Sequence, residues 1–378
     1  MAFEHYIRSG KKLLRCGYTT GTCAALAVQG AAVLLLSGEA PCTLSLDVPG
    51  GLTVEVTPRS CFLQDGDTAV CSVEKDAGDD VDMTDGLEIV ATVRRADTPG
   101  AAIDGGPGVG SVTKPGLDQP VGVAAINRVP RRMIQEQALA VCRTYGYSGG
   151  LQFTITVPGG EEIACRTFNP RLGVEDGISI LGTSGIVEPM SQQAMIDTIE
   201  LELRQAAENN TRLILTPGNY GADFLHFQGW DALGVPVVKC SNFLGDALDA
   251  AAGLTFQEVL LVGHIGKLVK VAGGVMNTHS RYADCRGEIF CAHAALCGAN
   301  QTLCRALMDA ATADACIELL DGTGLRQRVM ESILTAIQRH LDCRGEGAYQ
   351  IGAVLFSNRF GLLGNTKNAK TILRSWQM

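Results

Sequence analysis

Aromatic residues are scarce in this chain. They make up 5% of 378 residues, with two tryptophans, too few for the stacking platforms that single-stranded nucleic acids require. Positive charge is also in deficit. The formal net charge of −9 excludes a general polyanion-binding surface and leaves room only for local basic pockets. The fourteen cysteines include no C-x-x-C pair, so neither a zinc knuckle nor a dithiol redox motif is written here. No Walker A loop is present, because Gly263-His-Ile-Gly-Lys267 lacks its spacing and its Ser/Thr. Residues 105–110, Gly-Gly-Pro-Gly-Val-Gly, miss the G-x-G-x-x-G dinucleotide fingerprint and carry a proline.

Metal motifs are likewise incomplete. Asp76, Asp79, Asp80, Asp82 and Asp85 form an acidic run, but no glutamate closes it as a calcium loop requires. Cys285, Cys291, His293 and Cys297 lack the paired spacing of structural zinc. No protein metal site is expected.

What is present is an ordinary globular composition, 46% hydrophobic and 19% charged, in a chain too long for one core. Cys23, Cys142 and Cys304 sit in apolar runs, where they read as small hydrophobes. Reduced thiols and a cytoplasmic setting are expected. The apolar run Cys23–Leu36 is too short to span a bilayer. It follows Tyr18-Thr-Thr-Gly-Thr22, in which Thr20 or Thr22 suits an N-cap. It is predicted to be a buried core helix and not a secretory signal.

Residues 1–172 are predicted to form an α+β domain with a mostly antiparallel sheet. Its strands are Thr43–Val48, Leu52–Thr57, Ala69–Glu74 and Leu87–Arg94, with a helix over 131–145. A second hairpin, Leu151–Val157 with Glu162–Phe168, turns at Pro158-Gly159-Gly160. Residues 173–345 alternate strands (Ile178–Leu181, Leu213–Leu215, Val235–Val238, Glu258–Val262) with helices. That pattern predicts a doubly wound, Rossmann-like, three-layer α/β domain. Residues 346–378 supply a late strand, Ala353–Phe356, and a tail that returns to one of the two domains.

Glycine is abundant, 45 residues, and clusters in turns. Gly182-Thr183-Ser184-Gly185, Thr216-Pro217-Gly218-Asn219 and Gly263–Gly266 read as βα turns whose backbone N–H groups face a ligand. Basic residues gather at Arg128, Arg131 and Arg132 and again at Lys267, Lys270, Arg281 and Arg286, which suits a carboxylate-rich or phosphorylated ligand. His264 and His279 stand in polar turns, where imidazole can exchange a proton or ligate a metal.

Several unusual segments then occur in one order. They include Gly17-Tyr-Thr-Thr-Gly-Thr-Cys-Ala-Ala25, Lys75-Asp-Ala-Gly-Asp-Asp80 and Val129-Pro-Arg-Arg-Met-Ile134. The second half adds Gly177-Ile-Ser-Ile-Leu-Gly-Thr-Ser-Gly-Ile-Val-Glu-Pro-Met190, Thr216-Pro-Gly-Asn-Tyr-Gly221, Lys239-Cys-Ser-Asn-Phe-Leu-Gly-Asp-Ala-Leu-Asp249 and Met276-Asn-Thr-His-Ser-Arg281. Over nearly its whole length the chain resembles the CbiD family of cobalt-precorrin-5B C1-methyltransferases. The resemblance implies transfer of the methyl group of S-adenosylmethionine to a corrinoid in cobalamin biosynthesis, with cobalt entering only as part of the substrate. On that reading Gly182–Gly185 and Thr216–Asn219 hold the methyl donor. Thr19, Thr20, Asp80, Arg131, Arg132, Lys267, Lys270 and Arg281 hold the corrinoid, with the first domain as the expected substrate-binding one, and His264 or His279 is catalytic. The expected partner is the small-molecule substrate, with no nucleic acid or membrane. Homo-oligomers and transient contact with neighbouring pathway enzymes are allowed. The residues alone leave two alternatives open: a non-catalytic corrinoid carrier, and an enzyme acting on a phosphorylated small molecule.

Overall fold

The computed structural model describes residues 3–9, 12–96, 100–167 and 169–376. Two compact units divide the chain at Gln192/Gln193, later than the expected boundary at 172/173. Segment 173–192 therefore belongs to the first unit.

The first unit is built on helix Thr20–Ser37, which is long and apolar enough to span a membrane but 78% buried within the fold. Its N-cap is Thr19, in place of the expected Thr20 or Thr22: Thr19 Oγ1 accepts the Thr22 N–H at 3.2 Å. The helix packs against helix Arg128–Thr144 and a five-stranded sheet. The sheet order is Ser60–Asp65, Thr68–Glu74, Glu88–Ala96, Gly150–Thr156, Gly100–Gly105. All neighbours are antiparallel except the last pair. Side chains two apart face the core, as in Ile89, Ala91 and Val93 or Leu151, Phe153 and Ile155. Hairpin Leu44–Asp47/Thr53–Val56 turns at Pro49-Gly50-Gly51 as the sequence predicts.

The second expected hairpin does not form. Gly160–Ala164 is a helix with Glu161 and Glu162 in its first turn, where negative charge meets the positive end of the helix dipole. Phe168, the last residue of the expected strand, lies outside the described residues. Ile178 also departs from expectation. Gly177–Ile178 pairs in parallel with Gly108–Val109 inside the first unit and joins no larger sheet.

The second unit holds a sheet of order Val237–Lys239, Arg212–Thr216, Glu258–His264, Gln350–Ser357, Gly361–Asn365. The first four strands are parallel and the last is antiparallel. The late strand is thus an interior member of this sheet. Leu213, Leu215, Val259, Leu261, Ala353 and Leu355 face a core that includes helices Leu244–Ala252 and Arg326–Gly345. Ile214, Leu260, Val262, Val354 and Phe356 face the opposite core, shared with helices Tyr220–Phe227 and Lys367–Trp376. Both sheet faces are therefore covered, which is why these strands read as continuous apolar runs.

In chain order the five strands lie 2-1-3-4-5. The helix after the first strand covers one face and the helix after the second covers the other. The winding direction reverses between Arg212–Thr216 and Glu258–His264. A reversal of this kind opens a crevice outside the carboxyl ends of the two strands, where α/β sheets bind ligands.

Candidate functional site

The loops that leave those two strands carry Thr216-Pro-Gly-Asn219 and His264-Ile-Gly-Lys267. Thr216 and Pro217 are buried and Asn219 is exposed, held by Lys239 Nζ. Gly218 has φ +88°, and a Cβ there would stand 3.1 Å from Lys267 Nζ. The glycine thus admits the lysine to the crevice and supplies a left-handed turn.

Lys267 is half-buried. Its ammonium donates to Asn242 Oδ1 at 2.7 Å and Ser241 O at 3.3 Å, both neutral acceptors. Ser241 sits at φ 52°, a costly conformation for a residue with a Cβ, of a kind that clusters at functional sites. Asn242 Oδ1 also accepts from Thr278 Oγ1 at 3.1 Å. Burial, with Lys239 and Lys270 nearby, holds the Lys267 ammonium below the ordinary lysine range, although the Cys240 thiol opposes this. No Lys267–carboxylate ion pair exists among the described residues, so an anionic ligand would complete its coordination.

His264 ends its strand and caps the short helix Ile265–Leu268. Its Nδ1 accepts the Gly266 N–H at 3.1 Å. A neutral ring so held carries its proton on Nε2, which makes it a donor to a ligand. Tyr220 lies 6.0 Å from the ring and Phe356 stands edge-on at 5.8 Å. Burial lowers the His264 pKa from its ordinary 6.5, against the opposing charge of Asp314. The geometry is therefore that of a neutral hydrogen-bond donor and not of a base. His279 is exposed, its Nδ1 accepting from Arg281 N at 3.0 Å; Arg281 is exposed as well.

Most of the remaining candidates are used within the fold. Lys270 is buried and donates to Thr278 O at 3.0 Å and Ala283 O at 2.8 Å, pinning the loop that bears His279. Turn Gly182–Gly185 belongs to the first unit, so it is not a βα turn of the second-unit sheet. It closes over the start of helix Thr20–Ser37. Thr20 Oγ1 accepts from Leu181 N at 2.9 Å and Thr22 Oγ1 donates to Gly185 O at 2.7 Å. A Cβ on Gly182 would lie 2.3 Å from Thr19 Oγ1. Thr183 is exposed, and Ser184 Oγ accepts from Ile186 N at 3.2 Å. These residues keep a buried helix end satisfied. Asp80 accepts the Met190 N–H at 3.0 Å.

Arg131 is drawn into the first unit. Its guanidinium donates to the carbonyls of Ile126, Ile103 and Ala124 at 2.9, 3.1 and 3.4 Å. Arg132 is exposed, 3.8 Å from Glu136. Arg131→Lys keeps the charge but loses the planar fork. It is expected to cost about 1–3 kcal/mol of stability, read by urea denaturation, with ligand affinity unchanged. Arg132→Ala should shift stability by no more than about 0.5 kcal/mol.

Asn242, Ser241 and Tyr220 were not among the predicted site residues. A signal for the first two existed, since both follow the carboxyl end of a predicted strand. A cavity of about 1090 Å³ runs between helix Arg326–Gly345 and the edge strand Gly361–Asn365. Its lining contains none of the crevice residues, and the sheet topology favours the crevice as the site.

The family model described as CbiD matches residues 7–189, and the model of the CbiD C-terminal domain matches residues 277–367. The chain is 46% identical over 359 residues to a protein of Ruminiclostridium cellulolyticum named cobalt-precorrin-5B C(1)-methyltransferase, covering 94% of this chain and 92% of that one. A protein of the same name from Alkaliphilus metalliredigens is 40% identical over 98% of this chain and 97% of its own length. A crystal structure of the cobalamin biosynthesis protein CbiD from Archaeoglobus fulgidus is 28% identical, with a TM-score of 0.39 over 74% of this chain and 86% of that chain.

Proposed function

The chain belongs to the CbiD family, and from that premise we propose that it methylates ring carbon C1 of cobalt-precorrin-5B, giving cobalt-precorrin-6A, with S-adenosylmethionine as donor. The ring carbon's π electron pair forms the new carbon–carbon bond. The carbon–sulfur bond breaks, and its electron pair stays on sulfur as S-adenosylhomocysteine. The sulfonium is already an activated electrophile, so the protein's contribution is chiefly to align the two partners.

We assign the donor to the crevice of the second unit, read as the Rossmann-like layer. The observation that carries this assignment is the half-buried Lys267 ammonium, which faces only neutral acceptors beside Gly218. Lys267, expected among the corrinoid-binding residues, thus joins the Thr216–Asn219 turn expected for the donor. His264 gives a hydrogen bond through Nε2, and His279 has no catalytic part. We assign the corrinoid to the first unit, with Arg132 available for a ring carboxylate. A cytoplasmic setting, self-association and passing contacts with neighbouring enzymes of the pathway complete the reading.

The test is anaerobic incubation with cobalt-precorrin-5B and isotopically labelled donor, followed by mass spectrometry. Gain of one labelled methyl supports the reading. Stoichiometric corrinoid binding without methyl gain would show a carrier instead. His264→Gln retains an N–H donor and should keep single-turnover rates within about threefold. His264→Ala should lose about 10- to 100-fold, the worth of one hydrogen bond to a charged group. Protonation at Nδ1 breaks the bond from the Gly266 N–H that orients the ring, so the wild-type rate should fall as pH drops through a value below 6.5. Equal rates for Ala and Gln would remove His264 from the site.

A further inference from the structure

Helix Ala313–Asp321 packs on the short helix Ile265–Leu268 that follows His264. Thr312 caps it, Oγ1 accepting the Ala315 N–H at 3.1 Å. Asp314, the second residue of this helix, carries an enclosed carboxylate oxygen, Oδ1, with no hydrogen-bond partner among the described residues. Its position suits the helix dipole, which accounts for an acidic side chain there but not for an acceptor left without a donor. Enclosed acceptors are almost always paired, and an orphan calls for a missing group.

Two cationic or polar groups lie within electrostatic reach of Asp314, namely His264 and Arg359. Arg359 is already committed to Glu318, with contacts of 2.7 and 3.1 Å. It follows the strand Gln350–Ser357, which pairs with the strand that ends at His264. Lys267 reaches the loops after Arg212–Thr216 and Val237–Lys239. The short helix after His264 thus carries an ammonium lacking an anion and packs against a helix that bears a carboxylate oxygen lacking a donor.

We propose that Asp314 binds the α-ammonium group of the methyl donor while Lys267 takes its α-carboxylate, so that the amino-acid head lies across His264. The inference rests on the assignment of the crevice to the donor. Asp314 is partly exposed as a residue, so its carboxylate is open to a ligand. Neither charge of the head changes during methyl transfer, so Asp314 is a binding residue for donor and demethylated product alike.

Calorimetric titration with S-adenosylhomocysteine and with 5′-methylthioadenosine, which lacks the amino-acid head, tests this. Asp314→Asn should weaken S-adenosylhomocysteine by about 10- to 100-fold and leave 5′-methylthioadenosine unchanged. Wild-type protein should lose a similar factor when the α-ammonium of S-adenosylhomocysteine is replaced by hydrogen, a comparison that needs no variant to fold. The proposal is overturned if the variant binds S-adenosylhomocysteine as wild type does, if both nucleosides weaken equally, or if wild type is indifferent to the ammonium. Failure of wild type to bind either nucleoside would instead refute the donor assignment, and this inference with it.

Discussion

Lys267→Met is expected to weaken binding of S-adenosylmethionine and S-adenosylhomocysteine by about 30- to 150-fold, the worth of one charge-assisted hydrogen bond in a half-buried site. The same change should leave the melting temperature unaltered or slightly raised. In the free protein the Lys267 ammonium touches Asn242 Oδ1 and Ser241 O, so burial costs it solvation that no carboxylate offsets. Methionine keeps the apolar stem and removes that cost. A pure folding residue would behave oppositely, losing stability and affinity together.

The pH dependence follows from the same geometry. Burial depresses the Lys267 pKa below 10.5, so in the folded chain the charged form is the disfavoured one. Stability should rise as pH climbs through the folded pKa toward the unfolded value, while donor affinity falls over the same interval, because only the ammonium holds a carboxylate. Calorimetric titration from about pH 7 to about pH 10 should show this loss in wild type and its absence in Lys267→Met. Undiminished donor affinity in the variant, with corrinoid binding lost, would move Lys267 to the other substrate.

How far the site was legible in the sequence depends on what kind of information each residue carries. Turn Thr216-Pro-Gly-Asn219 and segment Gly263–Lys267 announce themselves, because glycine and proline after an apolar run mark the end of a buried strand. Turn Gly182-Thr-Ser-Gly185 has the same local appearance and a different role. Only its partners, Thr20, Thr22 and Val48, show that it closes a helix end. The strand Gln350–Ser357 was legible as a strand but not as an interior one, since an apolar run does not specify its neighbours. Glu161 and Glu162 suit a helix start, and only the three-dimensional structure shows that they prevail over the hairpin signal of Pro158-Gly159-Gly160. Asp314 had no readable signal. An aspartate two residues after a threonine cap is ordinary, and its missing partner exists only in three dimensions.

The largest effect on stability is expected from Asp82→Asn. Lys75 is almost wholly enclosed in the first unit, 3% exposed, and its ammonium reaches Asp82 Oδ2 at 2.6 Å. The other carboxylate oxygen accepts from Thr84 N at 2.8 Å and Thr84 Oγ1 at 2.7 Å. Burial alone would raise the Asp82 pKa, but Lys75 and the Thr84 donors outweigh it and hold the carboxyl below its ordinary 3.8. Neutralising Asp82 strands a buried ammonium, which costs about 3–5 kcal/mol. Lys75→Met leaves Asp82 partly exposed and still bonded to Thr84, so about 1–2 kcal/mol is expected. The double variant should therefore be more stable than Asp82→Asn alone, and urea denaturation of the four proteins measures the coupling directly. Because the folded pKa of Asp82 is depressed, its contribution is complete above the unfolded value and disappears as pH falls through the folded one. The wild-type advantage over Asp82→Asn should accordingly shrink below about pH 4. A cost under about 1 kcal/mol for Asp82→Asn at neutral pH would mean that Lys75 finds water, and that the acidic run at 76–85 is not anchored by this pair.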